Sequence, residues 1–136
     1  LAAAALCAGM APSNDWFRPW RYRARLLLVF APGEWSPLLQ RQRTLVSAAS
    51  AGSAERDLAL LEVVGYHCSD SRVTGTALRQ VYRVPMDRFS VVLLGKDGEE
   101  KWRSNDPVSS QSLFAMIDSM PMRRREMQNA ASADGN

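Results

Sequence analysis

Five consecutive apolar residues, Leu26 to Phe30, follow Arg25 and stop at the turn formers Ala31-Pro32-Gly33. A strand with one face in water alternates apolar and polar side chains. An unbroken apolar run this short, closed by a turn, suits a strand covered on both faces. Such a strand needs helices above and below it, which calls for an α/β chain. With 136 residues, 46% hydrophobic and 23% charged, the chain can build one such core, and its composition is not that of a disordered protein.

The residues after this run follow the same logic. Ser36-Pro37 is an N-cap followed by proline at the first helical position. Leu38, Leu39, Leu45, Val46 and Ala49 form the apolar stripe of the helix, and Ala51-Gly52-Ser53 closes it. Leu58-Ala-Leu-Leu-Glu-Val-Val64 is a second apolar strand, ended by Gly65. Val73, Ala77, Leu78, Val81 and Tyr82 recur at helical spacing and stop before Pro85. Phe89 to Leu94 reads as a third strand, Gly95-Lys96-Asp97-Gly98 as a hairpin turn, and Glu100 to Ser104 as the returning fourth strand. Ser109 or Ser110 caps a last helix carrying Leu113, Phe114, Ile117 and Met120, stopped by Pro121.

The order β-α-β-α-β-β-α, with right-handed crossovers, sets the first two strands side by side and parallel. The hairpin then lies on the other side of the first strand. This is a thioredoxin-like α/β fold with a four-stranded mixed sheet and helices on both faces. Residues 12–128 form the single domain, and residues 129–136, small and polar, are expected as a disordered tail. Residues 1–11, LAAAALCAGMA, are too short an apolar run to span a bilayer. They fit the end of a secretory signal, with Gly9 and Ala11 as the small residues before the cut. A disordered start, or a lipoprotein acylated at Cys7, are the alternatives. No later segment has transmembrane length.

The aromatic and arginine-rich stretch Trp20-Arg-Tyr-Arg-Ala-Arg-Leu-Leu-Leu-Val-Phe-Ala-Pro32 joins Gln42-Arg43, Glu55-Arg56-Asp57-Leu58, Val91-Val-Leu-Leu-Gly-Lys-Asp-Gly98 and Ile117-Asp-Ser-Met-Pro-Met-Arg-Arg-Arg-Glu-Met127. Together these segments resemble a domain-of-unknown-function family of small exported bacterial proteins, described as peroxiredoxin-like. The domain is shared with animal extracellular sushi-repeat proteins and a related coiled-coil matrix protein. The resemblance covers roughly residues 18–128. It implies a thioredoxin-like fold and an extracytoplasmic place, periplasmic or secreted, and it implies no activity, substrate or cofactor.

The chemistry of the residues narrows the function. A thioredoxin-type redox site needs a cysteine at the start of the first helix, where the dipole and free N–H groups stabilise a thiolate. Here that segment reads Gly33-Glu34-Trp35-Ser36-Pro37. The position of the proline that precedes the third strand in such oxidoreductases is held by Phe89 and Ser90, with Pro85 several residues earlier. Cys68, with His67 beside it, is the only thiol left after a cut at Ala11, so no internal disulfide is available. Two adjacent ligand types without a second pair make no zinc site. With His67 the sole histidine, a Ser-His-Asp triad has no support, and the Gly95–Gly98 turn lacks the helix a phosphate loop needs.

A net charge of +3 from 17 basic and 14 acidic residues does not point to nucleic acid. Trp16, Phe17, Trp20 and Tyr22 alternate with Arg18, Arg21, Arg23 and Arg25, a pattern that packs an N-terminal extension or binds single-stranded nucleic acid or an acidic polymer. Arg123, Arg124 and Arg125 complement a helix C-terminus or form an anion- or partner-binding patch. Two readings follow. In the first, the chain is an exported non-redox binding module that meets a protein or anionic polymer through Pro32, Glu34, Trp35, Ser36 and the three arginines, with no metal or cofactor. In the second, it is a thiol-dependent peroxidase or redox sensor using Cys68 and His67.

Overall fold

A computed structural model describes residues 14–134. The expected signal segment, residues 1–11, lies outside them. A 3-10 segment, Asn14–Trp20, leads into β1 (Arg25–Ala31), α1 (Pro37–Ala48), a short α2 (Ser50–Glu55) and β2 (Leu58–Val64). There follow β3 (His67–Cys68), α3 (Gly75–Tyr82), β4 (Ser90–Leu94), β5 (Glu100–Ser104), α4 (Ser110–Asp118) and α5 (Pro121–Asp134). The sheet order is β3-β2-β1-β4-β5, with β1 and β2 parallel and the other pairs antiparallel.

Every residue of β1 is buried, as its unbroken apolar run requires. Its side chains alternate between two cores. Leu26, Leu28 and Phe30 pack with Phe17, Val63, Leu78 and Tyr82 on the face of α3 and the 3-10 segment. Leu27, Val29 and Ala31 pack with Leu39, Leu113 and Ile117 on the face of α1 and α4. Polarity is lacking on either side of β1 because neither side meets water.

Caps delimit the helices. Ser36 accepts from the Leu39 N–H, Thr74 from Ala77 and Ser109 from Ser112, each satisfying a first-turn donor. Buried Gln42 accepts from the Val108 N–H at 2.7 Å and donates to its carbonyl at 3.1 Å, fixing α1 to the lead-in of α4.

The sheet has five strands, against the four expected. The extra one, β3, is only two residues long and follows β2 through a tight turn, so no periodicity marks it. Two helix readings also change. The first helix breaks at Ala49 and restarts as α2. α4 does end ahead of Pro121, at Asp118, but Pro121 then opens α5, where its missing N–H is no loss, and that helix runs on through residues 130–134 of the expected tail.

Candidate functional site

β1 and β2 end side by side, Ala31 opposite Val64, and the connections that follow them meet at this carboxyl edge of the sheet. The Ala31 carbonyl accepts from the Gly65 N–H at 2.9 Å and from Arg79 Nη2 at 2.8 Å. Arg79 also donates through Nε to the Gly65 carbonyl and through Nη1 to the Pro85 carbonyl, both at 2.9 Å. One buried guanidinium thus ties together the β1–α1 loop, the β2–β3 turn and the α3–β4 connection. Burial holds its pKa below the ordinary value, with the nearby Tyr66 phenol opposing.

The loop itself is locally determined. Ser36 is buried, donates its N–H to the Gly33 carbonyl and gives its hydroxyl to the cap. Pro37 has no N–H, so the start of α1 offers few donors to an outside anion. Glu34 is exposed but engaged: Arg43 donates to it at 2.8 and 3.1 Å, and to Glu62 at 2.8 and 2.7 Å. The hydrogen bond from Arg43 holds the Glu34 carboxyl low, and the two carboxylates together raise Arg43. The Arg43–Glu34 half of this triad, open to water on the Glu34 side, adds order to the surface more than stability.

What faces solvent here is aromatic. Trp35 is 74% exposed and Tyr66 71%, and they follow the ends of the two paired strands. The Trp35 indole folds back over Gly33, where a Cβ would collide with its ring. Pro32 is half-buried at the base of the loop. Two large rings left in water on a scaffold pinned by Arg79 can bury apolar surface against a partner and offer an indole N–H and a phenol for hydrogen bonds.

Cys68 and His67 diverge. His67 is exposed beside Val64, whereas Cys68 is buried beside Val63 and packs in the core with Leu78 and Tyr82. Burial raises the thiol pKa; a backbone hydrogen bond from Asp70 opposes this and the Asp70 charge adds to it. A buried thiol whose pKa is raised carries little thiolate and does not meet solvent. His67 does not face it.

The three arginines also separate. Arg123 is only 5% exposed, so it is no surface contact: it donates to Asp118 at 3.0 Å and to Glu55 at 3.2 Å. Arg124 and Arg125 are exposed on the first turns of α5. Neither group adjoins the carboxyl edge, because α5 begins beside the amino end of β1, where Glu126 meets Arg25 at 3.1 Å.

Sequence reasoning singled out the loop and Trp35; Tyr66, Arg43 and Arg79, which the structure sets at the same edge, were not among its candidates. Arg79 sits next to Leu78 on the buried side of α3, and a charge in that place is a signal of a carbonyl-binding role.

The comparisons with known proteins agree with this architecture. The family described as domain of unknown function DUF4174 matches residues 19–126. Sushi repeat-containing protein SRPX of Rattus norvegicus is 31% identical over 114 residues, covering 77% of this chain and 25% of its own length. SRPX2 of Xenopus laevis is 25% identical, over 84% of this chain and 27% of its own length. Coiled-coil domain-containing protein 80 of Danio rerio is 26% identical, over 79% and 15%. The chain therefore spans about a quarter or less of these relatives. Among solved structures, reduced Plasmodium vivax 2-Cys peroxiredoxin superposes with a TM-score of 0.58 at 14% identity, over 79% of this chain and 83% of that one. That likeness shows a thioredoxin-like fold and nothing of its chemistry. With the family match spanning most of the described residues, the chain belongs to the DUF4174 domain family.

Proposed function

We propose that this domain is an exported, non-redox binding module whose contact surface is the carboxyl edge of the sheet. The observation that carries the reading is the exposed Trp35 on the β1–α1 loop, with a second exposed ring, Tyr66, on the turn that leaves the neighbouring β2. The place where this fold elsewhere holds a reactive cysteine is taken here by an aromatic side chain. The expectation of export rests on the apolar start of the sequence and on the family resemblance. No helix among the described residues is long and apolar enough to cross a membrane.

The test is retention of proteins from a periplasmic or culture-medium extract on the immobilised domain, followed by affinity measurement for each retained protein. Removing a central aromatic anchor costs about 2 kcal/mol or more, so Trp35→Ala should weaken a true partner about thirtyfold. Cys68→Ser, if folded, should bind as the parent does and consume peroxide no differently. A partner indifferent to both Trp35→Ala and Tyr66→Ala would sink this surface. Peroxide consumption that disappears in Cys68→Ser would instead favour the thiol reading.

A further inference from the structure

Backbone hydrogen bonds along β2 alternate in direction. At its ends the Asp57 carbonyl accepts from the Arg25 N–H at 2.8 Å, and the Gly65 N–H donates to the Ala31 carbonyl at 2.9 Å. Odd-numbered residues therefore turn their N–H and C=O groups toward β1, and even-numbered residues turn theirs outward. Of the outward set, Glu62 is answered by Ser69 and Val64 is paired with His67. Leu58 and Leu60 have no outward backbone partner among the described residues. Both are half-buried, as is Ala59 between them. Leu58 to Leu61 carries no charge, in contrast to β5 with Glu100, Lys101 and Arg103. A strand edge that is apolar, uncharged and unpaired is the kind that accepts another strand.

We propose that a second copy of this chain pairs on this edge, antiparallel and about a twofold axis through Ala59. In that register Leu58 of one copy lies opposite Leu60 of the other, and each such outward-facing pair exchanges both of its hydrogen bonds. The outward groups of Leu58 and Leu60 are then all used, and no other antiparallel register achieves this. Ala59 meets its own copy at the axis, where opposed Cα atoms come within about 4.5 Å and a small side chain fits. The edge is also bounded: Asp57 turns the chain at a φ of 51°, and Ser69 closes the far side at Glu62. A patch that matches itself makes a closed pair. The contact is small, so the pair is weak, with a Kd of about 100 µM. Because the paired strands run in opposite directions, the two carboxyl edges with their Trp35 rings point apart.

In sedimentation velocity the parent should pass from monomer toward dimer between about 10 µM and about 1 mM. Ala59→Lys and Ala59→Glu each set like charges against one another at the axis and should stay monomeric. An equimolar mixture of the two should associate again, because unlike charges then face across the axis. Where either variant fails to fold, amide exchange of the parent decides. The Leu58 and Leu60 N–H groups should exchange about fivefold more slowly at about 1 mM than at about 10 µM, with β5 unchanged. Association that survives Ala59→Lys, a folded mixture no better than either variant alone, or edge amides indifferent to concentration would each overturn the proposal. So would a parent still monomeric at about 1 mM, which would leave the edge to a strand from another protein. None of these outcomes bears on whether Trp35 meets a partner.

Discussion

Gly98 shows how one residue can be read twice. Asp97-Gly98 signals a turn in the sequence, and the structure places Gly98 at a φ of +87°, a conformation that costs an L side chain about 1 kcal/mol or more. The structure adds what no turn rule contains: a Cβ there would lie 2.9 Å from the Phe17 ring. Gly98→Val should therefore lower the unfolding free energy by about 2 kcal/mol or more, read by urea titration. A neutral variant would mean that both the turn and the Phe17 packing differ from this account. Cys68 was legible only in part. Its type and its opposition to His67 were evident from alternation, but its burial depends on β3, a strand too short to leave a pattern. Arg79 was illegible for a related reason. Nothing in an arginine's neighbours along the chain announces that its acceptors are carbonyls 14 and 48 residues away.

At the level of elements, the Ile117-Asp-Ser-Met-Pro-Met-Arg-Arg-Arg-Glu segment is a clasp. Asp118 accepts from Arg56 at 3.0 and 2.9 Å and from Arg123 at 3.0 Å, while Glu126 holds Arg25 and Lys96. The hydrogen bond from Arg56 keeps the Asp118 carboxyl below its ordinary value of 3.8, helped by Arg123 against burial. Burial pushes Glu126 up, yet Arg25 and Lys96 outweigh it and hold the carboxyl below 4.5. Both groups bind protons more weakly folded than unfolded. Their stabilisation is thus complete above the unfolded values and is lost as pH falls through the lower folded ones. Unfolding free energy should be level between about pH 5 and 7 and drop below about pH 4, and the drop should be shallower when Asp118 is replaced by Asn. An equally steep drop in Asp118→Asn would remove that carboxylate from the account. Glu126→Gln leaves the Arg25 guanidinium buried without its carboxylate and should cost about 3 kcal/mol at neutral pH, measured the same way. The sequence displayed these charges without their pairings, because each pairing crosses between elements far apart in the chain.

For the whole molecule, the crossover rule was enough to order four strands, since β1 could be buried on both faces in few other ways. The position of α5 was not recoverable, because Pro121 is read equally well as an end or as a beginning. The sheet that results has two open sides, and they are guarded differently. Along β2 the outer side is closed by β3 at Val63 and Val64, and Ser69 answers both the N–H and the carbonyl of Glu62, each at 2.9 Å. On β5 the guard is charge: Lys101 is held by Asp97, and Arg103 by Glu100 at 2.8 Å. A second copy stacking strand to strand on β5 would have to strip water from those ions, so the sheet resists growing into a polymer. Replacing Lys101 and Arg103 together by Val should therefore produce concentration-dependent association in sedimentation runs where the parent shows less. If the doubly changed protein associates no more than the parent, something other than these charges keeps one copy from adding to the next.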